Sequence, residues 1–294
     1  MILRDYLAAQ QQLIERELER LVPPETAPPA TIHRAMRYSL FAGGKRIRPV
    51  LCLEAARTIS DAPQGIETAA CSLEFVHTYS LIHDDLPALD DDDYRRGKLT
   101  CHKVFGEAMA ILTGDALLTL GFQTLSHMNS VGDDRKTRII TELAVAAGTV
   151  GGMIGGQVAD LEGEGKTPDA QLLESIHRAK TGALLRASVR MGAIYAGADD
   201  RQLSAISSYG EHIGLAFQIV DDMLDVEQST EALGKTAGKD AQQQKITFPA
   251  VYGLVESRRM AETERLSAHQ ALEMFGTRAG RLRELADLIV QRTS

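Results

Sequence analysis

The stretch FVHTYSLIHDDLPALDDDDYRRG, residues 75–97, carries a long apolar segment into a crowd of carboxylates. Its first half keeps apolar residues at helical spacing, which predicts a helix from about Ile66 to the aspartates. Six aspartates then fall between Asp84 and Asp93. Their charges repel one another unless cations lie among them. The stretch therefore predicts a helix that ends in a cation-binding site.

Helical periodicity continues along nearly the whole chain, and no segment alternates cleanly enough to predict a strand. Further helices are predicted near residues 107–129, 134–162, 168–196, 201–227, 247–257 and 260–291. Aromatic residues make up only 5% of the composition, which is thin for a β-sandwich or barrel. We therefore expect one all-α domain over residues 1–294.

Composition excludes several classes of function. The net charge of −8 argues against a nucleic-acid binder, because phosphate backbones require a basic surface. The longest uncharged run, Leu143 to Ala159, is too short and too rich in glycine for a membrane span. The first residues lack the apolar core of a signal peptide. Three cysteines without a CxxC pair indicate reduced thiols, so we expect a cytoplasmic protein.

A second acidic cluster lies 137 residues after the first, in LAFQIVDDMLD. Asp221 and Asp225 are one helical turn apart and share a face, with Asp222 beside them. Magnesium prefers oxygen ligands and takes one or two carboxylates plus water and phosphate oxygens. A DDxxD sequence on a helix is thus a suitable holder of magnesium diphosphate.

The helix must be interrupted within the first cluster if Asp84 and Asp90 are to lie close together. Asp84 and Asp90 are six residues apart, so a regular helix would separate them by about 120° and about 9 Å. Pro87 lies between them and cannot continue the helix hydrogen bonds. We expect residues 86–89 to end the helix locally and return Asp90 to Asp84. The alternative interpretation of either cluster is a solvated acidic helix end.

Basic residues are grouped near both clusters, although each one alone is typical of an ordinary surface charge. His77 lies two turns before Asp84 on nearly the same helix face. The groups are Lys45, Arg46 and Arg48; Arg95 and Arg96; Lys180 with Thr181; and Lys235 with Lys239.

Small residues recur at Gly148, Gly152 and Gly156. This spacing favours a close helix–helix crossing. The other interpretation is room for an apolar chain, with Gln157 and Asp160 facing the metals.

Taken together, these motifs resemble the trans-type polyprenyl diphosphate synthases, and most closely bacterial farnesyl diphosphate synthases. The matching stretches lie between residues 43 and 249 and are GGKRIRP, HDDLPALDDDDYRRG, GGQVADL, AKTG, FQIVDDMLD, GKTAGKD and KITFP. The resemblance implies the isoprenoid synthase fold, antiparallel helices around a deep central cavity, usually in a homodimer. It also implies head-to-tail condensation of isopentenyl diphosphate with an allylic diphosphate, the released diphosphate taking the final proton.

The resemblance also implies roles for individual residues. Asp84 and Asp90 would bind two Mg²⁺ ions with support from Asp85, and Asp221 a third with support from Asp222 and Asp225; Mn²⁺ is an expected substitute. The expected catalytic residues are Asp84, Asp85, Asp90, Arg95, Lys180 and Asp221. The allylic substrate would be held by Arg95, Lys180, Thr181, Gln218 and Lys235, and isopentenyl diphosphate by Lys45, Arg48, His77 and Arg96.

The resemblance implies that product length depends on the position five residues before Asp84. Tyr79 would lie about 7.5 Å deeper along the helix, where a ring can end the cavity. In the resembling family an aromatic residue there, together with a first aspartate motif that is two residues longer, points to the fifteen-carbon product. Tyr79 and Ser80 are therefore the expected chain-length residues. Tyr79 as ordinary core packing, and the twenty-carbon product, are the alternatives. The C-terminus IVQRTS carries only Arg292, so the basic cap of some relatives is in doubt here.

Three other functions fit the sequence less well. A class I terpene cyclase would replace the second DDxxD and would not need Lys45 and Arg48. A metal phosphohydrolase of the HD type, suggested by His83-Asp84, needs several histidine ligands. A calcium-binding protein would show EF-hand spacing, which residues 84–95 lack.

Overall fold

A computed structural model describes residues 2–61, 63–166, 169–227 and 245–292. The described residues are almost entirely helical, which confirms the predicted all-α class. Their helices are α1 Leu3–Leu21, α2 Ala30–Leu40, α3 Ile47–Ile59, α4 Ile66–Asp84, α5 Cys101–Phe105, α6 Glu107–Ser126, α7 Asp133–Ala147, α8 Met153–Gly163, α9 Ala170–His177, α10 Ala183–Ala196, α11 Asp200–Glu227, α12 Phe248–Tyr252, α13 Leu254–Ala271 and α14 Gly280–Gln291.

Short irregular elements complete the architecture. A π-turn at Arg178–Gly182 joins α9 to α10, and a 3₁₀ segment at Glu273–Ala279 precedes α14. Two strands of two residues each, β1 Tyr94–Arg95 and β2 Lys98–Leu99, form a small antiparallel hairpin after the first aspartate cluster. The sequence did not predict this hairpin, because two residues per strand are too few for an alternating pattern.

The core is organised around α4 and α10. Helix α4 is apolar on almost every side and packs against α3 and α6, as a fully buried helix should. Helix α10 packs against α3, α7 and α11. One cluster of buried hydrophobic side chains extends from Ile14 to Ile289, so distant parts of the chain share a core.

Three predicted helix boundaries were wrong. The helix expected over 134–162 is interrupted between Ala147 and Met153, where Gly148, Gly151 and Gly152 lower helix stability. Gly148 and Gly152 therefore lie in the break. Gly156 does make the expected close crossing, since a Cβ there would lie 2.2 Å from the backbone nitrogen of Lys180. At the C-terminal end, α12 to α14 divide the chain differently from the two predicted helices.

One described helix, α6, is long and apolar enough to cross a membrane by length and composition alone. Helices of a protein core pass the same test, so this is weak support for a span. The three cysteines are all free and buried.

Candidate active site

The first aspartate cluster folds back on the end of α4. The helix ends at Asp84, and the backbone N–H of Asp90 donates to the Asp84 carbonyl at 2.8 Å. The N–H of Asp91 donates to the Leu86 carbonyl at 3.1 Å. The return of Asp90 to Asp84, expected from Pro87, is thus confirmed at the level of the backbone.

The two leading aspartates of this cluster have different surroundings. Burial, helped by the Asp90 carboxylate and opposed by the Lys180 ammonium, raises the pKa of Asp84 to about 6. Asp85 is 3% exposed and accepts hydrogen bonds from two nitrogens of Arg95. Nε donates to Oδ1 at 2.8 Å and to Oδ2 at 3.0 Å, and Nη2 donates to Oδ1 at 2.5 Å. Burial still raises the pKa of Asp85 against that pull. Asp85 thus orients Arg95, whereas the buried carboxylate of Asp84 would be stabilised by a bound cation.

Two lysines contact the carboxylates around Asp84. Lys245 Nζ lies 3.0 Å from Asp90 Oδ1 and 3.9 Å from Asp160 Oδ2. Lys180 Nζ donates to Asp160 Oδ2 at 2.6 Å. The Asp160 carboxylate therefore interacts with two ammonium groups. Lys245 belongs to the KITFP motif but was not predicted as a site residue, because its place beside Asp90 depends on a contact across 155 residues.

The second cluster lies on a regular helix, and its three carboxylates differ in burial and in hydrogen bonding. Asp222 is 3% exposed and accepts from Gln218 Nε2 at 2.7 Å and from the Phe248 N–H at 2.9 Å. Both of its oxygens are thus used to hold protein groups. Asp225 is also buried. The side chain of Asp221 is 43% exposed, so it is the carboxylate of this cluster that a ligand can reach.

A cavity of about 650 Å³, here named the cationic cavity, unites most of the predicted diphosphate-binding residues. Its wall includes Lys45, Arg48, His77, Arg95, Arg96, Thr181, Gln218, Asp221 and Arg292. A basic cap from the C-terminus was in doubt from the sequence, but Arg292 lies inside this wall. Its Nη2 is 3.2 Å from Asp221 Oδ1.

The charges of the cationic cavity are poorly solvated by water. Burial lowers the pKa of Arg48 to about 10, so it stays charged at neutral pH, and its Nε has no hydrogen-bond partner among the described residues. Burial, followed by the charges of Arg48 and other nearby arginines, holds the pKa of His77 well below its usual range. His77 is therefore neutral. Such an arrangement favours a bound anion.

Gly43 and Gly44, directly before Lys45, leave room for the Arg96 side chain and bind it. Arg96 Nη1 donates to the Gly43 carbonyl, and a Cβ on Gly44 would lie 2.6 Å from that same nitrogen. Arg46 also lines the cationic cavity, but its side chain is 2% exposed and pairs with Glu74 at 2.7 Å. Arg46 is therefore held by its ion pair with Glu74, and Lys45 and Arg48 remain the candidates in GGKRIRP for binding a ligand.

A second cavity of about 330 Å³, the apolar cavity, adjoins the first. The two share Arg48, His77, Leu81 and Thr181 in their walls. The apolar cavity is also lined by Tyr79, Ser80, His83, Asp84, Leu89, Met153, Ile154, Gln157, Val158, Leu161 and Lys180. Asp84 and Asp221 therefore lie on the walls of adjoining cavities.

The π-turn links these cavities to α11. Thr181 Oγ1 donates to Gln218 Oε1 at 2.7 Å, and Gln218 in turn donates to Asp222. Single π-turns within helices occur frequently at functional sites. The predicted residues Lys235 and Lys239 lie outside the described residues.

The donor set suits a hard divalent cation. Asp84, Asp90 and Asp221 offer carboxylate oxygens, which is the ligand chemistry of Mg²⁺. They do not converge on one three-ligand group within the described residues. Because Mg²⁺ uses only one or two carboxylates and keeps phosphate oxygens and water, such separated carboxylates fit a metal–diphosphate complex better than a bare ion.

Comparison with known proteins agrees with this geometry. The family model described as "Polyprenyl synthetase" matches residues 29–282. A dimethylallyltranstransferase of Fischerella ambigua is 48% identical over 293 residues, covering 99% of this chain and 84% of the relative. A farnesyl diphosphate synthase of Geobacillus stearothermophilus is 48% identical over 266 residues, covering 90% and 87%.

A plant relative and a solved structure extend the comparison. Geranylgeranyl pyrophosphate synthase 12 of Arabidopsis thaliana is 45% identical over 295 residues, covering 98% of this chain and 81% of the relative. The crystal structure of an FPP/GFPP synthase from Zymomonas mobilis has a TM-score of 0.87 at 34% identity and covers 98% of both chains.

Proposed function

Because this chain belongs to the polyprenyl synthetase family and is a prenyl diphosphate synthase of the short-chain type, we propose that its main product is farnesyl diphosphate. The reaction would join isopentenyl diphosphate head to tail with dimethylallyl and then geranyl diphosphate. One observation carries the proposal: the apolar cavity, which holds Asp84 at one wall, also has the buried ring of Tyr79 in its lining.

Isopentenyl diphosphate would occupy the cationic cavity. Lys45, Arg48 and Arg96 supply positive charge, and the unpartnered Arg48 Nε offers a donor to a phosphate oxygen. Neutral His77 can donate one further hydrogen bond. The shared wall at Arg48 and His77 would hold this substrate beside the mouth of the apolar cavity, which orients its double bond toward the allylic carbon.

The allylic diphosphate would lie between the two aspartate clusters. Asp84, Asp90 and Asp221 would hold three Mg²⁺ ions with it, supported by Asp85, Asp160, Asp222 and Asp225. When bound, Mg²⁺ supplies positive charge that stabilises the departing diphosphate. Arg95, Lys180 and Lys235 would add donors to the same phosphate oxygens. Lys245, already 3.0 Å from Asp90, would act with them.

The apolar walls would protect the reaction. Cleavage of the allylic C–O bond sends its electron pair to the diphosphate and leaves a carbocation, which water would destroy. Leu89, Met153 and Leu161 supply an apolar lining around the chain. The double bond of isopentenyl diphosphate then forms the new C–C bond, and the released diphosphate accepts the proton that is lost.

Tyr79 would end the cavity. It is 7% exposed, and its ring meets the His83 imidazole edge-on with centroids 5.3 Å apart. His83 is itself fixed, because its Nε2 lies 3.0 Å from the Ile111 carbonyl and its ring fills the space beside Gly114. A ring supported in this way resists displacement by a growing chain. Ser80 lines the same cavity, one residue closer to Asp84.

The chain-length test compares Tyr79→Ala with Tyr79→Phe. Each variant is incubated with Mg²⁺, isopentenyl diphosphate and each allylic primer, and the dephosphorylated products are sized by chromatography. We expect fifteen-carbon product from the wild type and from Tyr79→Phe, which keeps the ring, and products of twenty carbons or more from Tyr79→Ala. Unchanged fifteen-carbon product from Tyr79→Ala would show that the chain stops elsewhere.

The second candidate is a geranylgeranyl diphosphate synthase. It is favoured by relatives of that name at 45% identity over 98% of the chain. The same assay separates the two, since a twenty-carbon main product from the wild type would establish this alternative. No consumption of isopentenyl diphosphate with any primer would contradict both.

A homodimer and a cytoplasmic location remain part of the proposal. Helix α6 presents Ile111 and Leu112, 45% and 51% exposed, which a second copy could cover. Light scattering after size exclusion is expected to give twice the chain mass of 32.0 kDa. A mass of one chain would contradict this interface.

A further inference from the structure

A group of metal-ligand side chains that the proposed reaction does not use lies just beyond Asp90. Asp91, Asp93 and His102 each bring one potential ligand atom, and these atoms lie within 4.8 Å of one another. The positive φ of Asp91, 50°, turns the chain directly after Asp90. The β1–β2 hairpin then returns it, with the Thr100 N–H donating to the Asp93 carbonyl at 3.0 Å. The hairpin thus brings α5 against the end of the aspartate run.

His102 distinguishes this group from an ordinary acidic surface. It is only 7% exposed, although its two acidic neighbours are exposed. Its Nδ1 lies 3.1 Å from Thr100 Oγ1, and that hydroxyl donates its proton to the Asp92 carbonyl at 2.8 Å. A hydroxyl has one proton, so Nδ1–H must be the donor to Thr100 Oγ1.

The unshared electron pair of the ring is therefore on Nε2. This atom is buried and has no hydrogen-bond partner in the part of the chain that the structure describes. Buried polar atoms without partners are rare in folded proteins. A ring nitrogen whose opposite N–H is fixed by a hydrogen bond is also the usual form of a metal-binding histidine.

We propose that Asp91, Asp93 and His102 form a second metal site, for a divalent first-row transition ion such as Zn²⁺ or Co²⁺. One imidazole nitrogen with two carboxylates suits these ions, whereas Mg²⁺ prefers oxygen ligands alone. The site is separate from Asp84, Asp90 and Asp221 and takes its ion without a diphosphate. Three protein ligands leave coordination positions for water on the exposed side.

Lys103 is the natural competitor at this site. Its Nζ lies 2.7 Å from Asp93 Oδ1, and both side chains are well exposed, at 38% and 57%. An exposed ion pair of this kind is weak and can be displaced by a divalent ion. Removal of the lysine should therefore tighten metal binding rather than weaken it.

The test is Co²⁺ titration of the full-length protein by visible absorption, with Mg²⁺ in excess and no diphosphate. Mg²⁺ occupies oxygen-only sites and leaves a site with a histidine ligand to Co²⁺. We expect one Co²⁺ per chain, displaced by Zn²⁺. Asp91→Asn with Asp93→Asn, and His102→Gln, should each weaken binding by about tenfold or more. Lys103→Met should strengthen it.

Matched controls are available elsewhere on the surface. Asp133→Asn with Asp134→Asn removes an adjacent exposed pair of carboxylates, and His127→Gln removes an exposed histidine; neither should change Co²⁺ affinity. The acidic double variant replaces exposed side chains, so it remains folded even if His102→Gln is not. Absence of Co²⁺ binding, or binding unchanged in the acidic double variant, would overturn the proposal. No isoprenoid substrate is used, so this result is independent of the proposed function.

Discussion

The two aspartate clusters look alike in sequence but are built in opposite ways. In the first, the helix ends at Asp84 and the loop folds back, so that Asp90 returns to Asp84 through a backbone hydrogen bond of 2.8 Å. In the second, α11 continues through Asp221 and Asp222 to Glu227. The first cluster collects carboxylates by breaking a helix, and the second separates them by keeping one.

The difference shows that paired aspartates are not paired ligands. In each cluster one member faces a cavity and its neighbour holds protein groups: Asp84 faces the apolar cavity while Asp85 holds Arg95, and Asp221 faces the cationic cavity while Asp222 holds Gln218 and Phe248. Adjacent residues on a helix point about 100° apart, so only one of a pair can face a given cavity. The neighbour is free to organise the surrounding residues.

The largest effect should come from the cavity-facing carboxylate of the first cluster. Asp84→Asn removes the charge that would balance Mg²⁺ at the leaving group, worth several kcal/mol. We expect kcat/KM to fall by about 10³-fold or more. Steady-state kinetics with saturating Mg²⁺ measures it, with the exposed Asp133→Asn as control. A loss below about tenfold would mean that Asp84 is not a metal ligand.

Two substitutions in the second cluster should have different effects, one mainly on stability and the other mainly on activity. Asp222→Asn presents an amide N–H₂ to either Gln218 Nε2 or the Phe248 N–H, so one buried donor loses its acceptor. We expect a loss of about 2–3 kcal/mol in the free energy of unfolding. Asp221→Asn, half exposed, should change that free energy by less than about 1 kcal/mol while lowering kcat/KM by about 10²-fold. Urea denaturation in EDTA supplies the stability values, and equal losses in the two variants would remove the distinction.

The smallest effect concerns the pH dependence of the metal-free protein. Burial and Asp90 raise the pKa of Asp84 from 3.8 to about 6. The stability that protonated Asp84 contributes is thus complete below about pH 4 and is lost as the pH rises through about 6. The loss is at most about 3 kcal/mol before solvent screening is considered.

Asp84→Asn should therefore raise the melting temperature in EDTA at pH 8, by up to about 5 °C, and leave it unchanged at pH 4. Thermal denaturation at the two pH values measures this, and Asp133→Asn again serves as the control. A variant that is equally stabilised at both pH values would show that the gain does not come from the charge of Asp84. The same substitution that removes activity would then stabilise the fold, as expected of a functional site under strain.

Much of the fold and site followed from local sequence. The all-α class came from helical periodicity, and the return of Asp90 came from Pro87. The cavity-lining residues Lys45, Arg48, His77, Arg96 and Gln218 followed from motif resemblance. Arg292 and Lys245 were missed or left in doubt, because each reaches the site across 71 or more residues of chain. No local pattern marks such a contact.

The sequence by itself determined which chemical groups are present and how they are spaced along each helix, since periodicity, proline and glycine act within a few residues. Only the tertiary structure decided which carboxylate of each pair faces a cavity, that Arg46 pairs with Glu74, and that His102 lies beside Asp91 and Asp93. These outcomes depend on packing between distant segments, where burial and the available hydrogen-bond partners select one orientation for each side chain.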